Sequence, residues 1–145
     1  MNAHTWASRV AALVLLSLGA PAARAAEDPL AGSLRQVVVE NLAAFNRKDV
    51  GATMSFVDTR SPDYGSTKDE IVEDFKSYDL TAELVGFTLI GHDDEFAVAR
   101  VKTKTSAKPN SGFVNNTVDA IAIFHQENGT WKFWSQQVID AKTLP

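Results

Sequence analysis

The chain has 145 residues, 45% hydrophobic and 22% charged, with no cysteine and a formal charge of −4 at neutral pH. This is ordinary composition for one globular domain. It excludes a disulfide scaffold, a thiol nucleophile and a cysteine-ligated metal, and without a Lys/Arg cluster to neutralise phosphates it gives no footing for nucleic acid.

Residues 1–25 read as a secretory signal. Arg9 and the terminal amine form a positive start, residues 10–22 an apolar stretch, and Ala23-Arg24-Ala25 places small side chains where a signal peptidase reads them. A membrane anchor needs about 20 apolar residues, and Gly19 and Pro21 interrupt this stretch. Cleavage after Ala25 is expected to release a single domain, residues 26–145, to the periplasm or the medium. Loss of Arg9 and Arg24 takes the formal charge from −4 to −6, and no later stretch is apolar enough to span a bilayer.

Helices come first in the mature chain. Leu30, Leu34, Val37, Val38, Leu42 and Phe45 recur at helical spacing, with polar residues between them. Asp49 is placed to cap a short second helix whose inner face is Val50, Met54 and Val57. Residues 58–66, with Pro62 and Gly65, read as a loop. Thr67 followed by Glu70 is a capping-box pattern that predicts a third helix carrying Ile71, Val72, Phe75 and Tyr78 on one face.

From Thr81 the period changes to two. Residues 81–90 alternate Val85, Phe87 and Leu89 against Leu84, Thr88 and Ile90, and residues 95–105 set Phe96 and Val98 against Ala97, Ala99 and Val101. Residues 117–126 and 131–139 complete four strands. In the last, Trp131 and Phe133 face the core while Trp134 shares the other face with Gln136 and Val138. Turns at residues 91–94, around Pro109 and at Asn128-Gly129 join them as an antiparallel meander. Apolar residues lie on both sheet faces and the helices can cover only one, which predicts a homodimer through the sheet.

Three helices before a long curled antiparallel sheet, with residues 42–49 (LAAFNRKD) at the first helix junction and residues 128–133 (NGTWKF) in the last hairpin, resemble the NTF2-like superfamily. That is the α+β cone fold of nuclear transport factor 2, ketosteroid isomerase and SnoaL-like cyclases. The resemblance runs over residues 30–139 and implies a cone able to hold a small hydrophobic ligand, and homodimerisation through the sheet. In place of a short strand pair between the second and third helices, this chain has the loop of residues 58–65. The isomerase branch uses a carboxylate base, with a tyrosine and a protonated acid as hydrogen-bond donors. Here the tyrosine position falls on Asn41, the base position near Asp63 or Tyr64, and the acid position near Ala122, with Asp119 on the opposite strand face. Two of the three roles are vacant or ambiguous.

Other candidates stand alone. Asp63 and Tyr64 form either an acid-base pair at the mouth of the cone or a turn in which Asp63 bonds local amides. His92 lies in a turn beside two acids, His125 ends a strand, and Asp58 ends a helix or opens a loop. No HxH or HxxxH spacing suggests a metal, and no nucleotide or hydrolase motif suggests a cofactor. Arg100 and Lys102 share a strand face from which they can pair with Asp119 or bind an anionic ligand. Asn41, Phe45, Phe56, Tyr64, Trp134 and Gln136 are the expected ligand-binding lining. The reading is an exported domain that binds a small hydrophobic ligand or a protein partner without transforming it. The alternative is an acid-base enzyme of the SnoaL or ketosteroid isomerase type.

Overall fold

The computed structural model describes residues 26–145; the expected signal, residues 1–25, lies outside the described residues. Helix α1 runs Pro29–Asn46, α2 Val50–Met54 and α3 Tyr64–Ser77. Strands β1 (Leu80–His92), β2 (Phe96–Ala107), β3 (Asn116–Glu127) and β4 (Thr130–Thr143) follow, in the spatial order β1-β2-β3-β4 with every pair antiparallel. The architecture is α+β, three helices and a curled four-stranded meander.

Local chemistry sets the element ends. Asp28 caps α1 by accepting the Leu30 N–H at 2.9 Å, with Pro29 in the first turn, where its missing N–H costs nothing. Asp49 caps α2 through the Ala52 N–H at 2.9 Å. Helix α3 starts three residues before the predicted capping box: the Thr67 N–H already donates to the Asp63 carbonyl at 2.9 Å, so Thr67 lies inside the helix. The β3–β4 turn places Asn128 and Gly129 at φ 53° and 77°, the left-handed pair that a two-residue hairpin requires.

The core lies between α1 and one sheet face. Leu34 and Val38 of α1 meet Ala97, Ala99 and Val101 of β2 and Ala122 and Phe124 of β3, all buried. The alanines let the helix approach the sheet closely. Phe124, fully buried, contributes about 1.5–3 kcal/mol through its transfer from water. Helix α3 has no buried residue; its Phe75 ring rests on Phe45 of α1 at 5.0 Å.

The sheet curls because β1 and β4 each carry two bulges. Pairing jumps from Leu84 to Gly86 and from Leu89 to Gly91 on β1, and skips Trp134 and Ile139 on β4. Each extra residue increases the local twist and shifts the side-chain alternation by one. Leu84 therefore joins Phe87 and Leu89 against the core instead of facing away from them. The same slip corrects the expected grouping on β4. Gln136 and Val138 pair with the buried Ala122 and Ala120 and share the face of Phe133, while the Trp134 ring packs on Phe96 and His125.

Candidate functional site

Two places hold convergent polar groups. The first is a cleft of about 580 Å³ between α1, the start of α3 and β4. Val57, Phe133 and Val138 supply its apolar surface, Asn41, Ser61 and Gln136 neutral hydrogen-bonding groups, and Asp63 and Glu70 the carboxylates at the α3 side. Among the described residues no Lys, Arg or His lines it.

Of the residues expected to line a ligand site, Asn41, Trp134 and Gln136 lie on this cleft and Phe45, Phe56 and Tyr64 do not. Asn41 also ties α1 to α2, its side-chain amide donating to the Thr53 carbonyl at 3.0 Å. Phe56 is engaged through its backbone, its carbonyl accepting from the Phe133 N–H at 2.8 Å. Asp63 is on the cleft, whereas the adjacent Tyr64, half-buried, opens α3.

The second place is a buried cluster that the sequence did not reveal. Residues 56–58 run beside β4, with a parallel bridge between Val57 and Phe133 and the Asp58 N–H donating to the Phe133 carbonyl at 2.8 Å. This carries Asp58, 0% exposed, to His125 on β3, where its Oδ2 lies 2.6 Å from the ring Nδ1. The Arg60 Nη2 lies 3.1 Å from the same nitrogen, so a carboxylate that only accepts and a guanidinium that only donates both converge on Nδ1. The ring Nε2 faces Glu95 at 3.3 Å, and Phe96 and Trp134, themselves edge-to-face at 5.9 Å, pack on the ring at 4.6 and 4.9 Å between centroids.

Arg60 completes the cluster, its N–H donating to Asp58 Oδ1 at 2.9 Å and its guanidinium lying 3.3 Å from both carboxylate oxygens. Burial by itself would raise the Asp58 carboxyl. The Arg60 N–H, the His125 ring and the Arg60 guanidinium outweigh it and hold the group below the ordinary carboxylate value.

A carboxylate orienting an imidazole is the geometry of a general-base pair. Here both ring nitrogens face protein groups, the Phe96 and Trp134 rings pack against the imidazole, and the His125 side chain is only 5% exposed. Neither residue of the pair lines the cleft. It fastens the α2–α3 loop to the sheet. Next to it the Thr59 hydroxyl donates to Glu127, which also accepts from Lys132 Nζ at 2.6 Å. The only signal for the pair was the type of two residues 67 positions apart in sequence.

The remaining candidates are paired elsewhere. His92 Nε2 meets Asp28 Oδ2 at 2.9 Å, joining the β1–β2 turn to the start of α1. Arg100 grips Asp119 with two bonds of 2.8 and 2.6 Å on the sheet face away from α1. Among the described residues no cluster of three His, Asp or Glu side chains can hold a metal ion, and no helix is long and apolar enough to cross a membrane.

Comparison with known proteins adds the following. The family model described as "Anti-sigma-I factor RsgI9, C-terminal domain" matches residues 36–144. No curated protein matches in sequence. Among solved structures, an NTF2-like protein of unknown function from Pseudomonas putida KT2440 superposes with a TM-score of 0.61 at 10% identity, over 75% of this chain and 84% of that one. A ketosteroid isomerase-like protein from Erwinia carotovora atroseptica gives 0.57 at 14% identity, over 78% and 98%. Bd1075 of Bdellovibrio bacteriovorus gives 0.61 at 12% identity over 74% of this chain, which spans 39% of that protein. At these identities the likeness shows the fold alone, and the fold is NTF2-like.

Proposed function

The chain belongs to the family of the anti-sigma-I factor RsgI9 C-terminal domain, and on that premise we propose that it is an exported, non-catalytic binding domain that takes a small amphipathic ligand or a protein partner in the cleft between α1, α3 and β4. The carrying observation is the separation of the two polar places. The cleft has space and neutral hydrogen-bonding groups, whereas the pair with acid-base geometry, Asp58 and His125, is buried and fully engaged outside it. A fold of this kind hosts many activities, so the site decides. The usual small-molecule site is mostly apolar, whereas here Val57, Phe133, Trp134 and Val138 are outnumbered by polar side chains, which favours an amphipathic occupant over a purely hydrophobic one. The family name belongs to a regulatory protein, which suits recognition better than turnover.

Export with cleavage after Ala25 and dimerisation through the sheet are part of the same proposal. Val98, Ile121 and Ile123 form a half-buried apolar strip on the sheet face away from α1, which supports a second copy packed there.

The test is a thermal-shift and NMR titration with a panel graded from apolar to polar, read at the side-chain amides of Asn41 and Gln136. Saturable shifts at both, with the ligand recovered unchanged, are the expected result. Ligands that perturb neither residue, or a ligand that is turned over, would refute the reading. Sequencing of the released protein should begin at Ala26. Sedimentation should give twice the monomer mass, falling to the monomer with Ile121→Glu.

A further inference from the structure

We infer that the occupant of the cleft is an extended peptide with basic side chains, which adds to the free edge of β4 along residues 135–138. The inference rests on the cleft reading above and names its partner.

The edge comes first. β4 is the last strand of the sheet, and among the described residues its outer side is met only near its start. Phe133 exchanges backbone bonds with Phe56 and Asp58, and the Ser61 hydroxyl donates to the Trp134 carbonyl at 2.5 Å. Beyond Trp134 no other backbone among the described residues meets the edge, where only the exposed Gln137 side-chain amide donates to the Val138 carbonyl at 3.2 Å, and every residue from Gln136 to Thr143 is exposed. A row of unpaired N–H and C=O groups is a template for another strand.

The bulges decide which part of that edge can be used. Trp134 and Ile139 each interrupt the regular pairing, and a bulge twists an edge away from a partner. The regular stretch between them is residues 135–138, which lies within the part of β4, residues 133–138, that lines the cleft. The backbone available for pairing and the space for the incoming chain therefore coincide. The bridge between Val57 and Phe133 already lays extended backbone on this side of β4, and the incoming strand continues that line.

Charge selects the side chains. The wall opposite β4 carries Asp63 and Glu70, both exposed, and among the described residues no cationic side chain lines the cleft. A strand presents alternate side chains to one face, so a peptide with Lys or Arg at every second position meets these carboxylates while its backbone meets β4. An acidic peptide meets only repulsion.

The probe is an acetylated, amidated nonapeptide of alternating lysine and threonine. Its binding is followed by calorimetry and by amide hydrogen exchange on the whole exported protein. Saturable binding that slows exchange of backbone amides within residues 135–138 by at least about tenfold is expected. The glutamate–threonine peptide should not bind. N-methylation of alternate amides should weaken binding at least about tenfold through lost ladder bonds. Asp63→Asn with Glu70→Gln, two exposed substitutions that leave the fold intact, should weaken it several-fold and flatten its salt dependence.

Equal affinity for the N-methylated peptide would overturn strand addition, and equal affinity for the acidic peptide would overturn the charge argument. Protection of residues 135–138 that depends on protein concentration without peptide would give the edge to a second copy and overturn the proposal. If small ligands shift Asn41 and Gln136 but the peptide does not, the peptide inference falls and the cleft reading stands. If neither does, both fall.

Discussion

Replacing Asp58 by Ala tests whether the buried cluster is structural. Three groups depend on this carboxylate: the Arg60 N–H at 2.9 Å, His125 Nδ1 at 2.6 Å, and the Arg60 guanidinium at 3.3 Å. The guanidinium is mostly exposed, so solvent screens its arm and it adds little. The other two end on a fully buried carboxylate, where a hydrogen bond to a charged group contributes about 1.5–3 kcal/mol. Removing the carboxylate also leaves the buried His125 Nδ1 without this partner, which costs about 1–3 kcal/mol for an unsatisfied polar group. We expect a loss of about 3–5 kcal/mol, which a domain of about 5–15 kcal/mol survives in weakened form.

Urea unfolding at pH 7 measures the loss, and its pH dependence supplies a second check. The folded-state pKa of Asp58 lies below its unfolded value, so its contribution is present above the unfolded value and is lost as pH falls through the folded one. The gap between wild type and variant should hold from pH 7 to about 5 and shrink below about 4. A loss under about 1 kcal/mol at pH 7, or a gap that widens on acidification, would refute the structural role.

Two further predictions concern the N-terminal tie and the core. Hydrogen bonding to Asp28, with help from the Asp93 carbonyl, raises the His92 pKa, while the Leu30 N–H and His92 lower that of Asp28. The His92 contribution is therefore lost as pH rises through its raised value, and that of Asp28 as pH falls through its lowered one. The tie should persist in the weakly acidic window between. By NMR the imidazole should titrate above about 6.5, and Asp28→Asn should return it toward that value; an unchanged curve would show the contact absent in solution. Phe124→Ala should cost about 3–5 kcal/mol in urea unfolding, and a cost below about 2 would mean that α1 settles into the space left behind.

Hydrophobic period located the helices and strands because α1 and β3 each bury one regular face: Leu34 and Val38 on the helix, Ala120, Ala122 and Phe124 on the strand. It failed where the backbone gains one residue without any change in composition. Nothing in the run Leu84-Val85-Gly86-Phe87 states that Val85 is extra, yet that bulge turns Leu84 toward the core and leaves Val85 54% exposed. The bulge at Trp134 had the larger effect, because it divides a strand that alternation treats as one. Phe133 and Gln136 meet at the cleft while the Trp134 ring leaves for His125. Asn41 follows from helix spacing, whereas Gln136 reaches the cleft only because the Trp134 bulge moves it to the face of Phe133. Asp58 and His125 were not legible, since a short loop and a strand end carry no period, and only the bridge between Val57 and Phe133 brings them together. The same bridge ends where the free edge of β4 begins, so the feature that hid the buried pair from the sequence also sets the lower limit of the surface left open to a partner.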